Sequence, residues 1–93
     1  MDMKGKNVIV TGSTDGIGLE TAKTLAAAGG NVIIHGRSAD KGKRAAAAIK
    51  LDVPAAQVTF VQANFASLQD VRSMAEQINQ LLPHIDVLVN NAG

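Results

Sequence analysis

TGSTDGIG, residues Thr11 to Gly18, is the stretch on which the reading of this chain turns. Its glycines stand at 12, 16 and 18, in the pattern Thr11-Gly12-x-x-x-Gly16-x-Gly18. Before it, Asn7 to Thr11 is mostly apolar and β-branched, the composition of a buried parallel strand. After it, Ile17 to Ala28 sets Leu19, Ala22, Leu25 and Ala26 along one side of a helix, which Gly29 and Gly30 close. Strand, glycine turn and helix in that order aim backbone N–H groups and the positive end of a helix at one point, where an anion is favoured. There Gly12 permits a sharp turn, and Gly16 removes a side chain where a pyrophosphate would approach. Gly18 lets the helix pack closely against the sheet. Ser13, Thr14 and Ile17 are expected to line such a site, and Asp15 adds a negative charge at the same end. A lone glycine pattern can equally be a tight turn; the strand before it and the helix after it are what point to a dinucleotide. Leu19-Glu20 stands where a nucleoside-triphosphate loop needs Lys and then Ser or Thr, which argues against that class.

The rest of the chain repeats the alternation. Asn31 to His35 reads as a second strand. Ser38 caps a helix over Ala39 to Lys50 with a thin apolar stripe, Ala45, Ala46 and Ile49. Val58 to Gln62 reads as a third strand. Ser67 and Asp70 form a capping box for a stronger helix, with Val71, Met74, Ala75, Ile78 and Leu82 on its inner face. Pro83 ends it, and Ile85 to Val89 is a fourth strand. Strand and helix alternating at crossover spacing predict an α/β, Rossmann-like domain over residues 1–93. Its parallel sheet would have four strands in the order 3-2-1-4, with helices on both faces. The fourth strand is then an edge, although IDVLV carries no protecting lysine or proline. That edge predicts a neighbour: more chain, a second copy or another partner.

His35-Gly36-Arg37-Ser38 follows the second strand. A carboxylate there would hold the ribose hydroxyls of NAD and repel a 2′-phosphate; none is present. Arg37 instead offers a fork of donors shaped for phosphate, with Ser38 beside it and Lys41 and Arg44 extending the field. The functional reading is NADP in preference to NAD. The bland one is that these cations solvate an alanine-rich helix, with Asp40 pairing to Arg44 at i,i+4. His35, alone in a strand, reads as a packing residue, and His84 as solvent-facing; no metal site is proposed.

Composition sets outer limits. The 93 residues make one small domain, 46% hydrophobic and 18% charged, which is globular rather than disordered. A net charge of +1 gives no reason to expect nucleic-acid binding. The absence of cysteine removes thiolate chemistry and favours a reducing compartment. The opening MDMKGKNVIVTG reads as neither a secretory leader nor a membrane anchor, so the expected setting is the cytoplasm.

With these motifs in place, the chain resembles the amino-terminal half of a short-chain dehydrogenase/reductase. The likeness runs over essentially all of it: TGSTDGIG after strand 1, HGR after strand 2, NFASLQDVR after strand 3 and NNAG after strand 4. The wording GIGLETAKTLAAAGGNVIIHGR is similar to the retinol-dehydrogenase-like branch. The resemblance implies that Thr11 ties strand 1 to the NNAG turn, that Gly12 to Gly18 cradle the pyrophosphate, and that Arg37 meets the 2′-phosphate or the adenine. It implies that residue 64 addresses the adenine amino group, with Phe65 adjacent. Asn90 would stabilise the sheet, and Asn91, Ala92 and Gly93 would lie along the ribose near the nicotinamide. The family commonly has Asp where this chain has Asn64, whose amide oxygen accepts without a full charge; the bland reading is that Asn64 satisfies its own loop.

The family's proton-transfer set is a helix-borne Asn, a Ser, and a Tyr with a Lys four residues on, all later in the fold. This chain has no tyrosine, and its Ser13 and Ser67 match earlier positions. The resemblance therefore implies a parent oxidoreductase that moves hydride between NADP(H) and a carbonyl or alcohol. The 93 residues alone are expected to be inactive, with no catalytic residue assigned. The alternative is a non-catalytic folding module that binds no cofactor. Either version is expected to self-associate, through the strand 4 edge or exposed helix faces, or to pair with a missing carboxyl-terminal half.

Overall fold

Ile9 has a strand on each side: Ile33 is its partner on one and Leu88 on the other. That double pairing puts the first strand at the centre, as its unbroken apolar sequence requires. The structure is a computed structural model, described over residues 1–91. Its elements are β1 (Asn7–Val10), α1 (Gly16–Ala27), β2 (Asn31–Gly36), α2 (Ala39–Asp52), β3 (Gln57–Gln62), α3 (Leu68–Leu81) and β4 (Val87–Val89). All pairs are parallel and the sheet order is β3-β2-β1-β4. The predicted Rossmann-like architecture and strand order are what the chain adopts.

Alternation along the strands divides the core in two. Val8, Val10, Val32 and Ile34 point to one face and meet Ala22, Leu25 and Ala26 of α1 and Ala45 and Ile49 of α2. Ile9, Ile33 and Val61 point to the other and meet Met74, Ile78 and Leu82. Two helices thus cover one face and α3 alone covers the second. The inner stripe of α3 is accordingly narrower than its sequence predicts: Val71 and Ala75 are exposed. Leu88, on the same side of β4, is 63% exposed.

Two local features differ from expectation for identifiable reasons. β4 begins at Val87 rather than Ile85. Ahead of it the Asp86 carboxylate takes the Asn7 N–H at 2.8 Å, a bond a strand carbonyl would otherwise make, while the Asp86 N–H donates to the Asn7 carbonyl at 2.9 Å. That bond from Asn7 is the main force holding the Asp86 carboxyl below its ordinary value. The capping box of α3 is only half formed. Ser67 Oγ accepts from the Asp70 N–H at 3.2 Å, but the Asp70 carboxylate reaches past Ser67 to the Asn64 N–H at 2.9 Å. Opposite, Lys23 of α1 donates to Asp52 at 2.9 Å, which raises its pKa and ties α1 to the end of α2.

Candidate functional site

The carboxyl ends of the strands open on a cleft of about 890 Å³. Its lining comes from three turns: Gly12, Thr14 and Asp15 after β1; Gly36, Arg37, Ser38 and Lys41 around the end of β2; Asn64, Phe65 and Ala66 after β3.

The first turn is built from its glycines outward. Gly12 and Gly16 have φ of +58° and +56°, which an L-residue takes only under strain. At Gly16 a Cβ would meet nothing within 4 Å, so no neighbour fills the space beside that backbone. Gly18 has another task than the predicted packing on the sheet. A Cβ there would run into the Gly12 carbonyl and the Asn91 side-chain amide, so Gly18 lets α1 close on the loop and on the end of β4.

The donors are unevenly supplied. α2 and α3 are capped by Ser38 and Ser67, whose hydroxyls accept from Lys41 N–H and Asp70 N–H. At α1 the cap residue is Asp15, and its side chain makes no cap bond. The carboxylate turns instead to Lys41, 3.8 Å away across the mouth of the cleft. The first turn of α1 therefore begins beside the cleft without a side-chain cap.

Two residues expected to line the site keep their side chains out of it. Ser13 is fully buried: its N–H donates to the His35 carbonyl at 2.8 Å, its Oγ donates to the Val10 carbonyl at 2.7 Å and accepts from the His35 N–H at 2.8 Å. With these polar atoms engaged, it clips β1 to β2 beneath the loop. The Ile17 side chain is 78% exposed and does not line the cleft, while its backbone belongs to the uncapped first turn of α1.

At the second turn Arg37 is exposed on the rim, with its carbonyl accepting from Gln62 Nε2 at 3.1 Å. Among the described residues its guanidinium forms no ion pair. Arg44 does not pair with the Asp40 carboxylate; its Nε donates to the Asp40 carbonyl at 3.4 Å. At the third turn, Asn64 Oδ1 accepts from the Ala66 N–H at 3.0 Å, so the loop uses the amide oxygen while the residue still lines the cleft. Phe65 lies flat on His35, ring centroids 4.2 Å apart and planes 8° from parallel.

His35 does more than its sequence position announced. Besides packing, its Nδ1 lies 2.9 Å from the Gly12 N–H and its Nε2 lies 2.9 Å from the Ala63 carbonyl. The available signal was a lone polar residue ending a Val-Ile-Ile strand directly beside the glycine turn.

The segment after β4 is tied back to the glycine turn. The Thr11 hydroxyl donates to Asn90 Oδ1 at 3.2 Å and accepts from the Asn91 N–H at 3.0 Å, and Asn91 Nδ2 donates to the Gly12 carbonyl at 2.9 Å. The two glycine-bearing motifs are thereby one structure. Ala92 and Gly93, expected beside the ribose, lie outside the described residues.

Comparison with known proteins gives the same picture. The family model described as short chain dehydrogenase matches residues 6–93. The chain is 39% identical over 92 residues to short-chain dehydrogenase/reductase prx1 of Penicillium roqueforti, covering 99% of this chain and 26% of that protein. It is 40% identical over 89 residues to human retinol dehydrogenase 13, covering 96% and 27%. Among solved structures, L-sorbose reductase from Gluconobacter frateurii, complexed with NADPH and L-sorbose, matches with a TM-score of 0.89 and 34% identity. That match covers 100% of this chain and 36% of the reductase. The chain thus spans about a quarter of the length of the curated relatives it matches.

Proposed function

From the premise that the chain belongs to the short-chain dehydrogenase family, a family that binds NAD or NADP through this fold, we propose that its cleft holds NADP(H). The observation that carries the proposal is the α1 amino terminus, left without a side-chain cap beside a cleft that also carries Arg37. N–H groups without a side-chain cap and helix polarity suit a pyrophosphate, and a guanidinium that forms no ion pair among the described residues suits a 2′-phosphate.

The residues present fit such a ligand. Gly16 leaves its backbone open, and the turn from Thr14 to Gly18 would hold the pyrophosphate. Arg37, Ser38 and Lys41 would surround the 2′-phosphate. Phe65, braced on His35, offers a flat surface for adenine, with Asn64 at its edge. Asn91 would lie along the ribose. Bound there, the nicotinamide would supply or accept hydride. We assign no catalytic residue among the 93, so turnover on a carbonyl or alcohol belongs to the proposed whole protein, in a cytoplasmic setting.

Isothermal titration of the purified chain with NADP and NAD tests this. Saturable NADP binding is expected, with Arg37→Ala weakening NADP by roughly tenfold or more, the size of a charge-assisted hydrogen bond, and NAD little. Absence of NADP binding, or equal losses for both nucleotides, rejects it.

A second reading has its own observation. β4 is an edge strand with Leu88 bare on its α3 side. That exposure favours a self-associating structural module that binds no nucleotide. Titration and oligomeric mass together separate the two.

A further inference from the structure

His35 touches both edges of the cleft at once. It is 3% exposed, at the carboxyl end of β2. The Ala63 carbonyl beside Nε2 can only accept, so Nε2 carries the proton. Nδ1 is then a bare acceptor, and it takes the Gly12 N–H. This bond fixes the first residue of the glycine turn from below, while the ring face carries Phe65. The turn expected to hold phosphate and the plane expected to hold adenine thus rest on one imidazole.

We infer that His35 is a positioning residue for the nucleotide, aligning the Gly12 turn and the Phe65 plane as one unit, and that protonation of its ring releases both; this rests on the dinucleotide reading of the cleft. An imidazolium has N–H at both nitrogens. With Nε2–H kept on Ala63, Nδ1–H would face the Gly12 N–H, donor against donor in a buried place. Either the turn moves off or the ring rotates away from Phe65, and each distorts the cleft. The charged groups lining the same cleft are Asp15 on the loop and Arg37 and Lys41 around the β2–α2 turn. Asp70, at the start of α3, is engaged with the Asn64 N–H. β1 and β3 contain no titratable side chain.

The test compares the wild-type chain, His35→Asn and His35→Phe by NADP titration at about pH 8 and about pH 5.5, either side of neutrality. Asparagine Oδ1 can stand where Nδ1 stands and takes no proton there. A phenyl ring in the same place would pack but accept nothing. His35→Phe is therefore expected to bind about tenfold more weakly than wild type at the higher pH, and His35→Asn to recover most of that loss. On acidification wild type is expected to lose about tenfold more affinity than His35→Asn, whose profile also absorbs the titration of the 2′-phosphate itself. Thermal melts confirm that both variants fold. Parallel pH profiles for wild type and His35→Asn, or His35→Phe binding as well as wild type, overturn the inference.

A measurement without nucleotide separates this from the broader reading. In ¹⁵N NMR spectra the Gly12 amide is expected to move on acidification in wild type and to stay still in His35→Asn. A Gly12 amide indifferent to His35 overturns the inference by itself. Coupled Gly12 and His35 in a chain that binds no NADP at about pH 8 rejects the dinucleotide reading, and with it the nucleotide half of the inference.

Discussion

The side-chain amide of Asn91 donates to the Gly12 carbonyl at 2.9 Å, across 79 residues of sequence. It joins the last described residue of the chain to the first residue of its glycine turn, and Gly12 lines the cleft.

Removing that bond should loosen the turn without emptying the core. Asn91→Ala is expected to lower stability by about 1 kcal/mol, the ordinary worth of one hydrogen bond, and to weaken NADP binding by a similar factor. Chemical denaturation and titration check this. A variant unchanged in both would show that the Thr11 bonds hold the turn unaided.

Gly16 and Gly18 should fail differently. Alanine at Gly18 must displace the Gly12 backbone, and Gly18→Ala is expected to cost about 1–3 kcal/mol and abolish nucleotide binding. At Gly16 there is room, so Gly16→Ala carries only the positive-φ penalty of about 1–2 kcal/mol, and its larger effect falls on the ligand. Thermal melts of the two proteins rank them; a Gly18→Ala chain as stable as wild type contradicts the packing.

Asp15 and Lys41 bridge the cleft mouth at 3.8 Å, both well exposed, so their pairing contributes at most about 1 kcal/mol. Asp15→Asn frees Lys41 and removes a charge opposed to the phosphates. NADP affinity is expected to rise about threefold at low salt, with the gain shrinking as ionic strength increases. A loss of affinity would mean that Asp15 orients the loop.

Acid should act on the opposite end of the sheet. The folded Asp86 carboxyl is held below the ordinary value of 3.8, first by the Asn7 N–H and further by His84 and Lys6. A depressed folded pKa gives stability that is complete above the unfolded value and lost as pH falls through the folded one. Asp86→Asn should therefore be less stable than wild type near neutrality, with the difference closing below about pH 4. Melting temperatures across pH 7 to pH 3 measure the convergence; a constant gap rules out this source.

Self-association, if β4 drives it, should respond to Leu88. Leu88→Glu puts a charge on the bare side of the edge strand and is expected to shift the chain toward monomer in sedimentation velocity. An unchanged mass distribution directs attention to the helix faces instead.

Much of this was legible beforehand because backbone geometry leaves a pattern in the residues. Parallel strands with both faces covered read as Val-Ile runs, and glycines mark φ values that no other residue takes easily. What sequence hid was where each polar atom spends its bonds. Ser13 looked available for phosphate, yet its hydroxyl sits between Val10 and His35. Asp70 looked like half of a local capping box, yet it reaches Asn64. His35 looked inert because its partners, Gly12 and Ala63, are 23 and 28 residues away and contribute only main chain, which has no sequence signature. Val71 looked internal because periodicity reports which side of a helix is apolar, not how much surface is there to receive it.

The bonds from Asn90 and Asn91 back to Thr11 and Gly12 also order events during synthesis. An emerging chain can pair β1 with β2 early, but the glycine turn acquires its final anchor only when residues 79 to 80 positions later have left the ribosome. Until then nothing from β4 fastens that loop, and a coenzyme arriving early would meet a half-built receptor.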